Sequence, residues 1–301
     1  MFLKWKEIPA ETKAEMRAHF ELKLPSRTLE LGGKTLIMGI LNVTPDSFFD
    51  GGSYARLDRA FRRGMQLEDE GADLVDVGGE STRPSRVQAL PVAEEIKRVV
   101  PVIKRLAKRL SIPLSVDTYK SEVAYEAIAA GAMLVNDISG LRFDPDMARV
   151  SASSGAAMVL MHSRGNPEQL HGLPSLKYPL QSVVRGLGRS VQRALKAGLC
   201  RDQLILDPGL GFGKKTEDNL TVLRRLEVLR QFDLPILVGP SRKSFIGKIL
   251  GQTVQERLLG SLSSVAVAVV QGAHIVRVHD VKETRQVVKL CDAIMEVSEP
   301  A

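Results

Sequence analysis

Cysteine is nearly missing from this 301-residue chain. The two present, Cys200 and Cys291, stand far apart and in no metal-ligand spacing. That count excludes a disulfide framework and fits a reducing compartment. Aromatic residues make up only 5% of the chain. No aromatic-basic stacking motif and no known nucleic-acid module accompanies them, so no nucleic-acid partner is expected. Long apolar runs are absent as well. The longest, residues 265–270, is far too short for a bilayer, so no membrane partner is expected. The opening stretch from Met1 to Glu11 has no apolar run with a cleavage site behind it. No signal peptide is therefore expected, and the cytoplasm is the expected compartment. No Pro/Ser-rich linker and no low-complexity tract divides the chain.

What is present is a repeated theme. From Thr35 onward a short apolar run, a polar loop and a longer amphipathic stretch recur eight times. The apolar runs are residues 36–41, 74–77, 114–116, 133–135, 157–161, 204–206, 235–238 and 275–278. They are mostly aliphatic with little polar alternation, the pattern of strands covered on both faces of a parallel sheet. The spacing predicts helices over residues 56–70, 92–109, 121–130, 145–153, 179–196, 217–230, 254–271 and 281–297. Gly71, Gly131, Gly198 and Gly272 follow four of them closely, as helix stops should. Strict alternation of eight strands and eight helices is the order of a (β/α)8 TIM barrel. An open doubly wound sheet is the alternative, but nothing marks a midpoint switch in strand order. The expected organisation is one barrel over residues 35–301 after a short extension, residues 1–34. Within the extension, residues 9–20 read as a surface helix. Residues 28–31 and 36–39 flank Gly32-Gly33, which predicts a hairpin capping the barrel floor.

Barrel enzymes carry their chemistry on the loops after the strands, and the unusual residues of this chain fall there. Asn42-Val43-Thr44-Pro45-Asp46-Ser47-Phe48 follows strand 1, and Gly78-Gly79-Glu80-Ser81-Thr82-Arg83-Pro84 follows strand 2. Strands 3 and 4 end in Asp117-Thr118 and Asn136-Asp137, and strands 5 and 6 in Met161-His162 and Asp207-Pro208-Gly209. Strand 7 leads to Ser241-Arg242-Lys243-Ser244, and strand 8 carries Arg277 and His279. Singly, each has a plainer reading. A lone aspartate after a strand is an ordinary cap or turn residue. His162 reads as a packed histidine, and the glycines from Gly209 to Gly213 are a weak phosphate-loop signal. Together, at the same end of successive strands, they exceed what stability requires. Asp117, Asn136, Asp207 and Lys243 suit the donor-acceptor edge of a flat heterocycle, with Arg277 flat on its face. Asn42, Arg277 and His279, from strands that adjoin in a closed barrel, suit a phosphate group, with Asp46 or Asp50 as Mg²⁺ ligands. The net charge of +7 fits an anionic substrate but decides nothing alone.

The motifs resemble the dihydropteroate synthase family of folate biosynthesis. The resemblance rests on residues 40–48 and 78–84, Asp207-Pro208-Gly209 and Ser241-Arg242-Lys243, and it runs from about Lys34 to the C-terminus. It implies condensation of 6-hydroxymethyl-7,8-dihydropterin diphosphate with p-aminobenzoate, giving 7,8-dihydropteroate and diphosphate, in a homodimer that needs Mg²⁺. It implies that Asp117, Asn136, Met161, Asp207, Phe212, Lys243 and Arg277 hold the pterin. Asn42, Arg277 and His279 would meet the diphosphate, and Asn42, Asp46 and Asp50 the metal. Phe48, Thr82, Arg83, Pro84, Lys243 and Ser244 would form the p-aminobenzoate site. Asn42, Lys243, Arg277 and His279 would be the catalytic set. Ser244 is expected to open helix 7 or a short helix before it. Departure of diphosphate before amine attack is the implied course, with closed loops excluding water. Phe49 departs from the family pattern, which often has a small residue there. A methyltetrahydrofolate-dependent methyltransferase on the same barrel would not need the Asn42 loop or the Ser241-Arg242-Lys243 segment. A non-catalytic pterin-binding paralogue would be marked by loss of Asn42, Arg83, Lys243 or His279, all of which are present.

Overall fold

Aliphatic runs that are covered on both faces need partners on both sides, and the chain meets that need with a parallel sheet wrapped by helices. A computed structural model describes residues 17–44, 53–80, 90–165 and 173–297. Its strands are β1 (Phe20–Lys23), β2 (Thr28–Leu31), β3 (Leu36–Asn42), β4 (Leu74–Gly78), β5 (Leu114–Asp117), β6 (Leu134–Asp137), β7 (Ala157–Met161), β8 (Leu204–Asp207), β9 (Leu237–Val238) and β10 (Ile275–Val278). Its helices are α1 (Ser53–Asp69), α2 (Val92–Leu106), α3 (Ser121–Ala129), α4 (Met147–Ser154), α5 (Pro179–Lys196), α6 (Thr216–Arg224), α7 (Ser244–Leu250), α8 (Leu258–Val270) and α9 (Val281–Glu296). The eight strands β3 to β10 run parallel in the order β8-β7-β6-β5-β4-β3-β10-β9. A parallel bridge from Leu206 to Ile236 joins the two ends. The fold is the expected (β/α)8 barrel.

Strand residues alternate between two surroundings, as a period of two demands. Ile37, Val75, Val77, Val116, Val135, Met158, Leu160, Leu206 and Val276 pack outward against the helices. Leu36, Met38, Leu74, Leu134, Val159, Ile205, Leu237 and Ile275 fill the lower interior. Each such side chain, fully buried, contributes roughly 1.5–3 kcal/mol. The same parity carries upward to Asn42, Asp76, Gly78, Asp117, Asn136, Met161, Asp207 and Arg277. An apolar floor therefore lies beneath a polar mouth.

The hairpin corrects the expected one. β2 pairs antiparallel with β1, Phe20 opposite Leu31 and Lys23 opposite Thr28, and not with residues 36–39. Leu36–Asn42 is buried along nearly its whole length and is taken up by the barrel, between β4 and β10. β2 is buried only at Leu31, an edge pattern that suits a two-stranded plug. Leu22, Leu24 and Leu31 close the floor. Gly32 makes the return at φ +110°, where a Cβ would stand 2.5 Å from the Ala18 carbonyl oxygen. His274 ties the plug to the barrel. Its Nδ1 accepts from the Ile236 N–H at 3.0 Å, which leaves Nε2–H to donate to the Ala18 carbonyl at 3.0 Å. The expected surface helix over residues 9–20 lies largely outside the described residues, and its last residue is already strand.

Two helices also differ from expectation. The stretch 217–230 breaks at Arg225, α6 giving way to 3₁₀ turns over Leu226–Phe232. The stretch 254–271 begins helix only at Leu258, because Glu256 draws the Thr253 N–H and hydroxyl into a turn, at 2.8 and 2.7 Å. The expected short helix opened by Ser244 is α7, which stops at Gly251 in a left-handed conformation, φ +66°. Gly71, Gly131, Gly198 and Gly272 all have positive φ, as helix stops.

Candidate active site

The strand register sets the site. Asn42 lies opposite Gly78, Gly78 opposite Asp117, and Asp117 opposite Asn136, so four strands contribute to one layer. Met161 lies opposite Asp207 on the other side. Glycine at position 78 leaves room: a Cβ there would be 3.6 Å from Asn42 Oδ1 and 3.5 Å from Asp117 Cβ.

Arg277 organises this layer. It donates from Nε to Asp76 Oδ2 and from Nη2 to Asp117 Oδ2, both at 2.6 Å. Asn136 Nδ2 donates to the same Asp76 oxygen at 2.9 Å. Asp76 is completely buried, and its Oδ1, like Asn136 Oδ1, has no hydrogen-bond partner among the described residues. Asp207 Oδ1 accepts from the Gly209 N–H at 2.6 Å. Lys243 Nζ lies 4.2 Å from the centre of the Phe212 ring. Met161, Phe212 and Ile138 form an apolar cluster with Tyr119 against it. Polar edge groups beside apolar walls are what a flat, hydrogen-bonding ligand requires.

Enclosure moves the proton affinities of Asp117, Asp207 and Lys243 toward neutrality. Burial drives the Asp117 carboxyl up; Arg277 pulls it back and Asp76 raises it again, leaving about 7. Asp207 is raised by burial, against the Gly209 N–H and the charge of Lys243. Lys243 is pushed down to about 8 by burial and by Arg277, with Asp207 and Asp117 opposing. Burial works against the charge of Arg277, yet Asp76 and Asp117 hold its pKa above the ordinary value. A carboxyl near 7 and an ammonium near 8 can accept or supply a proton at a heterocycle edge at neutral pH.

His279 stands at the other side of the mouth. Its Nδ1 is 3.0 Å from Ser241 Oγ, and its backbone N–H donates to the same oxygen at 3.2 Å. Burial first, then Arg277 and Arg242, pull the ring down to about 3, so it is neutral. Arg242, at φ +55°, holds Asp280 from Nε at 3.0 Å and donates its N–H to Ser261 Oγ at 2.8 Å. Ser244 is exposed at the start of α7.

The plainer readings hold where parity points away from the mouth. Asp137 faces the helices; it accepts from Ser139 N and Leu141 N at 2.7 and 2.6 Å and closes a turn. His162 is buried, with its ring against Gly186. The glycine loop is not built to cradle phosphate. Its carbonyls turn inward around Lys214, whose Nζ donates to Gly209 O, His162 O and Phe212 O at 2.8, 3.0 and 3.3 Å. Burial pulls Lys214 down to about 7. Asp46, Phe48, Phe49, Asp50, Thr82, Arg83 and Pro84 lie outside the described residues. Among the described residues no group of three or more His, Cys, Asp or Glu side chains could hold a metal ion.

Sequence reasoning missed Asp76, Lys214, Ile138 and Tyr119. Asp76 carried a signal: it is a lone charge within Leu74-Val75-Asp76-Val77, where both strand faces are covered. Lys214 carried none that distinguishes it from a surface lysine.

Residues 38–279 match the family described as pterin binding enzyme. A dihydropteroate synthase of Bacillus subtilis (strain 168) is 45% identical over 262 residues, covering 87% of this chain and 89% of that protein. Two solved structures of the enzyme from Xanthomonas albilineans are similar. One, with 4-aminobenzoic acid, has a TM-score of 0.87 and 40% identity, and covers 93% of this chain and 100% of that one. The other, in complex with 7,8-dihydropteroate, has a TM-score of 0.83 and 38% identity, and covers 92% of this chain and 100% of that one.

Proposed function

The chain belongs to the dihydropteroate synthases, transferases of the pterin binding enzyme family, and on that premise we propose that its barrel mouth joins 6-hydroxymethyl-7,8-dihydropterin diphosphate to p-aminobenzoate. The observation that carries this reading is the polar layer of Asp117, Asn136, Asp207, Lys243 and Arg277 beside the apolar walls of Met161 and Phe212. Asp207 commits one oxygen to Gly209 and keeps the other for an N–H/amino edge. Asn136 and Lys243 complete that edge, and Met161 and Phe212 take the ring faces. Each charge-assisted hydrogen bond there contributes roughly 1.5–3 kcal/mol. Arg277, braced by two carboxylates, turns its plane to the ring and its outer edge to the phosphates, where Asn42 and His279 join it.

The C–O bond at the exocyclic methylene breaks first, and diphosphate leaves with the bonding pair. The electron-rich pterin carries the resulting positive charge. The amine nitrogen of p-aminobenzoate then forms the new C–N bond with its lone pair and loses one of its protons to the released diphosphate. Phe48, Thr82, Arg83, Pro84, Lys243 and Ser244 hold that second substrate. The all-oxygen set of Asn42, Asp46 and Asp50 suits Mg²⁺, which when bound would neutralise the departing diphosphate. Only Asn42 of the three lies within the described residues; its amide oxygen faces Gly78 at the mouth. The cysteines, both free, suit a reducing cytoplasm. No described helix is long and apolar enough to cross a membrane. A homodimer is supported by Leu259, Val267 and Val270 of α8 and Leu290 and Ile294 of α9, all exposed on adjacent helices.

The test is a coupled assay with both substrates. Equal yields of diphosphate and dihydropteroate are expected, and turnover should stop when Mg²⁺ is chelated. No diphosphate with both substrates present would refute the reading; full activity in chelator would remove the metal. Asp207→Asn should abolish turnover while the fold persists, as read by circular dichroism.

A further inference from the structure

We propose that Ser241 is a positioning residue that fixes the Nε2–H tautomer of His279, so that the ring acts as a neutral hydrogen-bond donor to an anion at the mouth. The proposal deepens the reading that His279 meets the diphosphate. It follows from counting protons at one buried hydroxyl. The His279 backbone N–H can only donate, so at 3.2 Å it occupies a lone pair of Ser241 Oγ. The hydroxyl proton then needs an acceptor. Among the described residues the one acceptor in reach is His279 Nδ1, at 3.0 Å. If Nδ1 accepts, the ring proton sits on Nε2. Surrounding contacts hold the two residues in register. Arg242, next to Ser241, grips Asp280, next to His279, and Arg63 Nη2 donates to the His279 carbonyl at 3.2 Å. Burial first, and then the cations Arg277, Arg242 and Lys243, keep the ring from taking a second proton, against Asp280. A neutral donor gives the anion one directed bond without adding a charge that product release must overcome.

The chain has five histidines, which makes ¹⁵N-histidine spectra of the whole protein tractable. At pH 7, without ligands, the His279 signals, assigned by their loss in His279→Gln, should show Nε2 protonated and Nδ1 bare. Ser241→Ala should give a mixture of tautomers and weaken inhibition by inorganic diphosphate about ten-fold, the loss of one well-aligned donor. Ser241→Thr keeps the hydroxyl and should keep both the tautomer and the inhibition, which controls for misfolding of the alanine variant. In His279→Gln the amide nitrogen stands near the Nε2 position. Inhibition should survive within a few-fold and no longer respond to Ser241→Ala. An Nδ1–H tautomer in the unaltered protein, or an unchanged tautomer in Ser241→Ala, would overturn the proposal. His279→Ala binding inorganic diphosphate as tightly as the unaltered protein would instead overturn the anion reading, while the tautomer result stood by itself.

Discussion

Asp76 shows how much one buried carboxylate can organise. A single oxygen accepts from Arg277 and from Asn136, so the cation and the amide are aligned by the same atom. Asp76→Asn removes the charge that balances a buried guanidinium and turns an amide N–H₂ toward existing donors. Breaking one partner of such a pair costs about 3–5 kcal/mol, which urea denaturation would read. Activity should suffer separately, because misplacing a binding group by about 1 Å can cost ~10²-fold. A fall of that order in kcat/KM is expected. Asp117 reports the same change from its own side. Asp76 raises its pKa, so in the variant the acid limb of the pH profile should move down. A variant with unaltered stability and kcat/KM would mean that Arg277 and Asn136 are aligned by something else.

At the scale of the elements, alternation within each strand and the glycines between elements set the geometry. Gly209 and Gly155 both have left-handed φ, +67° and +71°. Gly155 ends α4, and a Cβ added there would meet nothing within 4 Å, whereas at Gly209 a Cβ would lie 2.1 Å from the His162 carbonyl oxygen. Gly155→Ala should therefore cost only the backbone term, about 1–2 kcal/mol, and leave KM unchanged. Gly209→Ala should cost more and also raise KM for the pterin substrate, because Gly209 N–H holds Asp207 and Gly209 O holds Lys214. Equal costs in the two variants would refute the steric argument. The eight barrel strands were legible in the sequence because aliphatic runs of this length have few alternatives once helices separate them. So was the approximate ring of Asp117, Asn136, Asp207 and Arg277, since strand ends share one face of a barrel. The hairpin pairing was not legible: β1 (Phe20–Lys23) is only four residues long, and β2 is left to it because residues 36–42 are taken up between β4 and β10. The ion pairs of Arg277 were not legible either, because its two carboxylate partners, 160 and 201 positions away, meet it only through the register. The inward carbonyls around Lys214 depend on loop geometry that composition does not encode.

Across the whole molecule, floor and mouth are separate regions divided by the apolar layer of Leu36, Met38, Leu74, Leu134 and Ile275, and acid should act on them separately. His274 belongs to the floor. Burial, chiefly, lowers its pKa from 6.5 to about 4, against the Ala18 hydrogen bond, which raises it. Between those values the unfolded chain binds a proton that the folded chain does not, so this residue makes stability fall as pH drops from 6.5 towards 4. Total acid stability is a poor measure of it, because Asp117, Asp137, Asp207 and Glu95 are raised by burial and act in the opposite direction over an overlapping range. Their contributions cancel in the difference between the unaltered protein and His274→Gln. From pH 7 to pH 5 the unaltered protein should lose about 2 kcal/mol relative to that variant, measured by urea denaturation at each pH. A constant difference would mean that His274 is not held neutral between the hairpin and the barrel. Since the apolar layer separates them, kcat/KM of the folded variant should stay within a few-fold of the unaltered value at pH 7. A large loss there would mean that the floor, through strands such as β3 and β10, seven and four residues long, transmits its packing to the polar layer above.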